Sequence, residues 1–251
     1  MKKGCINVLV VVLFLISGVF LYLAFNEGFY SLDTKFKNNA IREVVVQETE
    51  DPLNRNIDFE KLKGMNEDVV AWVYIPGTTV DYPILIGDSD EEYLYKDIDG
   101  NYNPLGSIFS YSKTKRDLSD GHVFLFGHNM RQYQMFGEIR KFLNTDYMQE
   151  HRKFYVYTER KTVEYDIFSI FSCNENDDFF TMGIELGTAD YVTMLDSIIN
   201  RNVNSDYELG SSSIKWSDSQ VVSLVTCNGV EGTTERLTVN GIAVREKYIF
   251  N

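Results

Sequence analysis

The chain has 251 residues, 44% hydrophobic and 14% aromatic, enough for a substantial core in one or two domains. Its formal net charge of −13 argues against nucleic acid as a partner, because phosphates need clustered Lys and Arg, and reads as a solubilising surface. Three cysteines and three histidines leave few residues able to carry thiol or imidazole chemistry.

Residues 1–5, MKKGC, form a short tail ahead of Ile6–Phe25, a run without a single charge. Twenty helical residues at about 1.5 Å each span about 30 Å, the thickness of a bilayer's hydrocarbon core. A cleaved signal peptide would have a shorter apolar run ending in small residues, whereas bulky residues continue to Phe25 and Tyr22 sits where an interfacial aromatic belongs. The expectation is a single-pass anchor. Lys2 and Lys3 before it keep the N-terminus in the cytoplasm, so the remaining chain lies outside the cell membrane.

Residues 26–56 are polar with scattered apolar positions and read as a membrane-proximal stalk or packed helix; residues 57–251 form the folded domain. A short helix is expected from Asp58, with Gly64 as its stop, followed by two β-strands joined at Pro76-Gly77-Thr78-Thr79. Further strand-like runs are GSIFSY, GHVFLFGH, FYVYTE, TVEYDIFSIFSC, QVVSLVTC and RLTVNGIAVREKYIF. Seven or eight strands at this spacing imply a sandwich or closed barrel. Residues 133–143 and 188–202 read as helices. In the second, Tyr191, Leu195, Ile198 and Ile199 share a face. It lies inside a long connection between the strands ending near Cys173 and starting near Gln220, and such connections often serve as lids or binding walls.

Cys173 and Cys227 are the two cysteines beyond the apolar run. They either pair as a disulfide or remain free, and an exported free thiol suggests catalysis. Cys227 ends the apolar strand QVVSLVTC, where a rigid element meets a loop; taken alone, a buried structural cysteine remains the alternative. His128, in FGHNM, shares that strand-end setting. His122 opens the same strand at the opposite end, and His151 reads as exposed and without a partner. Hairpin closure brings Arg236 back beside the end of the Cys227 strand. A thiolate, an imidazole and a permanent cation suffice for covalent acyl transfer. The histidines are scattered and no H-E-x-x-H or C-x-x-C pairing exists, so neither a metal centre nor a cofactor is expected.

SLVTC resembles the TLxTC strand-end motif of the sortases, with Ser223 replacing the usual first Thr; FGHNM resembles their histidine segment, and ERLTV supplies the following arginine. The resemblance extends over roughly residues 57–248. The entry strands, NPLGSIFSY and the helix before the cysteine strand are similar to class B. It implies a mainly β fold: an eight-stranded β-barrel with N-terminal helices and a helix in the long loop before the cysteine strand. It also implies Cys227 as nucleophile, His128 as general acid/base and Arg236 as oxyanion stabiliser, with Val225, Thr226 and Asn228 contacting substrate. The implied partners are secreted proteins bearing a C-terminal sorting pentapeptide and a peptidoglycan precursor amine. The alternatives are an endopeptidase that releases its acyl group to water and a non-catalytic surface module.

Overall fold

The computed structural model describes residues 2–130, 132–203, 216–227 and 233–249. Helix α1, Lys2–Val45, runs 44 residues without interruption and passes through residue 26. Of the expected span, side chains are described from Val10 to Tyr22 and at Phe25; among the described residues, no helix is long and apolar enough to cross a membrane. The C-terminal part of α1 docks on the rest of the protein, burying Ser31, Thr34, Ile41 and Val45.

After α1 come a two-stranded ribbon, β1 (Val46–Gln47) with β2 (Asn56–Ile57), and helix α2, Phe59–Met65. Asp58 caps α2 by accepting from the Lys61 N–H at 3.0 Å, and the helix passes through Gly64 to stop at Asn66. The remaining strands are β3 (Val69–Tyr74), β4 (Asp81–Leu85), β5 (Ile108–Phe109), β6 (His122–Phe126), β7 (Lys153–Tyr157), β8 (Lys161–Asn174), β9 (Val221–Cys227) and β10 (Glu235–Tyr248). They close a barrel in the order β10-β8-β7-β3-β4-β5-β6-β9. The β4–β5 and β6–β9 pairs are parallel and the other pairs antiparallel. Closure leaves no open edge.

The β3–β4 turn works because Gly77 takes φ +77°, and a Cβ there would stand 2.7 Å from the His151 ring. His151 is therefore not the lone surface group expected from sequence. Its Nδ1 donates to the Pro76 carbonyl at 3.0 Å, and its ring packs 4.3 Å from that of Tyr147. Residues 133–143 also depart from expectation: only Gly137–Leu143 coil, as 3-10 turns, followed by the short helix α3, Thr145–Glu150.

Three apolar clusters fill the fold. One is the barrel interior, a second lies under α1 and α2, and a third packs helix α4, Ala189–Asn200, on the outside of β6, β8, β9 and β10. On α4 the buried face is Tyr191, Met194, Leu195 and Ile198, with Ile199 only partly covered. Because α4 covers its outer face, β9 is buried on both sides. That explains why VVSLV reads as one apolar run rather than as an alternation. Its one polar insertion, Ser223, donates to Asn240 Oδ1 at 2.6 Å and accepts from His122 Nε2 at 2.7 Å. Asn240 in turn donates to the Ser169 carbonyl at 3.1 Å. A polar chain thus crosses four adjacent strands and ties their register together.

Under α1, Arg55 forms a buried two-pronged pair with Asp81 at 2.8 and 2.7 Å, while Trp72 Nε1 donates to the same carboxylate at 2.6 Å. The Arg55 guanidinium lies 4.1 Å over the ring of Tyr74. Burial opposes its charge, but the Asp81 contacts outweigh that and hold the guanidinium firmly protonated.

Candidate active site

Strands β6 and β9 run parallel in register, with Phe126 opposite Val225. The pairing continues one step further: the Gly127 N–H donates to the Val225 carbonyl at 3.1 Å, and the Thr226 hydroxyl donates to the Gly127 carbonyl at 2.7 Å. His128 and Cys227 therefore each lie two residues beyond a registered pair, at the same end of the barrel. On the other side of β9, Arg236 of β10 is the registered partner of Cys227. Chain order scatters these residues; strand register gathers them on one rim.

His128, Val225, Thr226 and Arg236 line a single groove of ≈ 370 Å³. Leu94, Tyr111 and Phe126 also line it. Of the long connection before β9, Glu175, Asn176 and Phe180 are the described residues that line this groove. Helix α4 stands behind them, packing against Phe179, and supports the wall rather than lining it. The side chain of Cys227 and all of Asn228 lie outside the described residues.

His128 is 9% exposed. Its Nε2 donates to the Leu94 carbonyl at 2.8 Å, and its ring lies 5.4 Å from that of Tyr95. The Leu94 acceptor fixes the proton on Nε2 and leaves Nδ1 as the basic nitrogen. Arg236 pairs through Nη2 with Glu175 and donates through Nη1 to the carbonyls of Thr233 and Glu235. Nothing in the sequence flagged Leu94, Tyr95 or Glu175, since an ordinary carbonyl, ring or surface carboxylate carries no pattern. Burial foremost, with Asp90 beside it, pushes Tyr111 up to about 12, so it stays a protonated phenol in the groove wall.

The other candidate groups separate from the rim. Cys173 on β8 is also a registered partner of Arg236, from the opposite side of β10. Two strand spacings of about 4.8 Å put its backbone roughly 9–10 Å from that of Cys227, beyond the reach of a disulfide. Cys173 is free and buried, and burial foremost pushes its thiol up to about 12. His122 sits at the opposite end of β6 from His128, as expected, and burial drives it down to about 3.

Fold and groove together define a barrel enzyme with one chemically equipped rim. Residues 73–244 match the Sortase domain family. The chain is 26% identical over 219 residues to Sortase B of Listeria monocytogenes, covering 84% of this chain and 86% of that protein. It is also 26% identical over 183 residues to Sortase B of Staphylococcus aureus, covering 72% of each. Among solved structures, sortase B from Bacillus anthracis in complex with AAEK1 superposes with a TM-score of 0.72 at 21% identity, covering 86% of this chain and 99% of that one. The Staphylococcus aureus sortase B–substrate complex gives 0.65 at 24% identity, covering 74% and 84%. The chain belongs to the sortase family, whose members are cysteine transpeptidases that join proteins to the cell wall. Its relatives place it in class B.

Proposed function

We propose that Cys227 is the nucleophile of a membrane-anchored sortase acting on a C-terminal sorting pentapeptide, with His128 and Arg236 as its partners. The observation that supports this most is the strand register, which puts Arg236 opposite Cys227 and brings β6 to the same rim with His128. A thiol with an ordinary pKa of about 8.5 is mostly unreactive at neutral pH without a neighbouring cation or imidazole.

The thiolate adds to the scissile carbonyl carbon, forming the C–S bond and an oxyanion that Arg236 stabilises. The oxyanion collapses, the C–N bond breaks, and imidazolium at position 128 gives its proton to the departing amine. An amine of a peptidoglycan precursor then attacks the thioester and loses a proton to the imidazole as the thiolate leaves. Val225 and Thr226, on the groove wall, contact the pentapeptide; Asn228 adjoins the nucleophile in sequence.

Residues 6–25 anchor the protein in the cell membrane with the catalytic domain outside. Support comes from the uncharged twenty-residue run and from the exposure of its described apolar side chains, such as Phe14 at 75% and Leu21 at 69%. Replacing Leu13 and Ile16 with Arg should release the full chain from the membrane fraction; retention there would refute the anchor. The deciding chemical assay incubates the full chain with a sorting peptide and a cell-wall amine. The transpeptidation product is expected. Hydrolysis product alone at saturating amine would make the protein an endopeptidase.

A further inference from the structure

Buried polar residues on a helix are more informative than exposed apolar ones, because each must find a partner. Ser31 and Thr34 are 4% and 3% exposed, on the face of α1 turned to the barrel. Their partners, with those of Lys37, all belong to two loops. In the first, the Thr34 hydroxyl accepts from Asn103 Nδ2 at 2.8 Å, and the Lys37 ammonium donates to Asp97 at 2.7 Å and Asp99 at 2.6 Å. In the second, Ser31 donates to Gln132 Oε1 at 2.5 Å and accepts from Gln134 Nε2 at 2.6 Å.

These same loops hold His128. The first carries Leu94, whose carbonyl takes the Nε2 proton, and Tyr95, whose ring faces the imidazole. It is stitched across itself, with the Asn103 N–H donating to the Tyr95 carbonyl at 2.9 Å and Lys96 bridging Tyr102. A displacement at Asn103 or Asp97 is therefore passed directly to Leu94 and Tyr95. The second loop begins at His128 itself: the Phe136 N–H donates to the His128 carbonyl at 3.0 Å, and Asn129 bridges Met135. One loop orients the ring and the other fixes the backbone. Helix α1 grips both.

We propose that Ser31, Thr34 and Lys37 are positioning residues for His128, acting through the 93–107 and 129–136 loops. The membrane-proximal helix is then part of the catalytic apparatus rather than a passive stalk. This inference rests on the reading of His128 as the acid/base.

The test uses the full chain in detergent micelles with ¹³C-labelled histidine. Three histidines give three ring signals, and His128→Gln assigns the one of interest. The variant S31A/T34V/K37M is compared with wild type, with D33A, on an exposed position of the same helix, as the control. The expected result is a shifted His128 ring signal and an altered acidic limb of the pH profile. The kcat should fall about tenfold or more with KM within about twofold, since a misplacement of about 1 Å far from the chemistry can be that costly. D33A should match wild type. If the triple variant does not fold, K37M serves alone, and K37R should recover most of the loss. An unmoved His128 signal in a folded variant overturns the proposal, whatever turnover does. A moved signal with unchanged turnover upholds the bracing and instead sinks the catalytic role of His128.

Discussion

The two ends of β6 lead to the same side chain in opposite settings. His122 is enclosed by Phe124 and Phe179, with ring centroids 4.1 and 5.3 Å away, and gives its Nε2 proton to Ser223. Its Nδ1 is buried with no hydrogen-bond partner. An imidazole held there stays neutral and serves register. His128, six residues on and two beyond the end of the strand, lines a groove that Arg236 also lines, and a carbonyl fixes its tautomer. The two cysteines divide the same way. Cys173 is walled in under α4, whereas Cys227 ends its strand at the rim. Residue type sets what chemistry is available, and position within the barrel decides whether the side chain is sealed inside or set at the rim.

The sharpest way to break that comparison is to exchange the roles by mutation. Cys227→Ala and His128→Ala should each lower acyl-enzyme formation by at least about 10²-fold in a folded protein, as read by mass spectrometry of the thioester and by circular dichroism. His122→Phe should leave the rate within about twofold. Near-normal turnover in either rim variant removes that residue from the mechanism.

Arg236→Ala should cost about 10²–10³ in kcat, the range for losing one oxyanion donor. Lysine at that position should rescue only part of the loss, because an ammonium lacks the guanidinium's fork of donors. Full rescue by lysine would show that charge alone matters.

The buried histidine makes a pH prediction. Its folded-state pKa of about 3 lies below the ordinary value of 6.5, so below pH 6.5 the unfolded chain binds a proton that the folded one does not. Stability from this group is complete above pH 6.5 and falls by up to about 1.4 kcal/mol per pH unit on acidification. Denaturant midpoints at pH 7.5 and 5.5 should differ more in wild type than in His122→Phe; equal pH slopes would show that His122 is not the sensor.

The smallest expected effect concerns Cys173. With its thiol pushed up to about 12, it should resist iodoacetamide in the native protein and react only on unfolding, and Cys173→Ser should leave turnover unchanged. Rapid native labelling of Cys173 would erase the contrast between the cysteines.

Much of this was legible in the residues themselves. The strands, the α4 face and the turn at Gly77 follow from local periodicity and backbone preference, which a short window contains. The placement of Arg236 beside the end of the cysteine strand was also readable, because hairpin closure is a local fact, and so was the strand-end setting of His128; that both strand ends share one rim depends on the distant β6–β9 pairing. What escaped was whatever depended on a distant partner. His151 read as solitary because its acceptor, the Pro76 carbonyl, is 75 positions earlier. Residues 26–56 read as a stalk or a packed helix without a stated docking site, because nothing local reveals that Asn103 and Asp97 wait for Thr34 and Lys37. Glu175 went unnoticed because its pairing with Arg236 spans 61 positions.

By itself the sequence determined the apolar run at residues 6–25, the strand character of most of the barrel and the identities of the thiol, imidazole and guanidinium, since each is a property of composition or of a few neighbouring residues. Only the tertiary structure decided that Cys173 is sealed off, that His122 is neutral, and that α1 grips the loops around His128. Those outcomes are matters of burial and of contacts between segments far apart along the chain. They exist only once the barrel has closed and the helices have packed on its outside, excluding water.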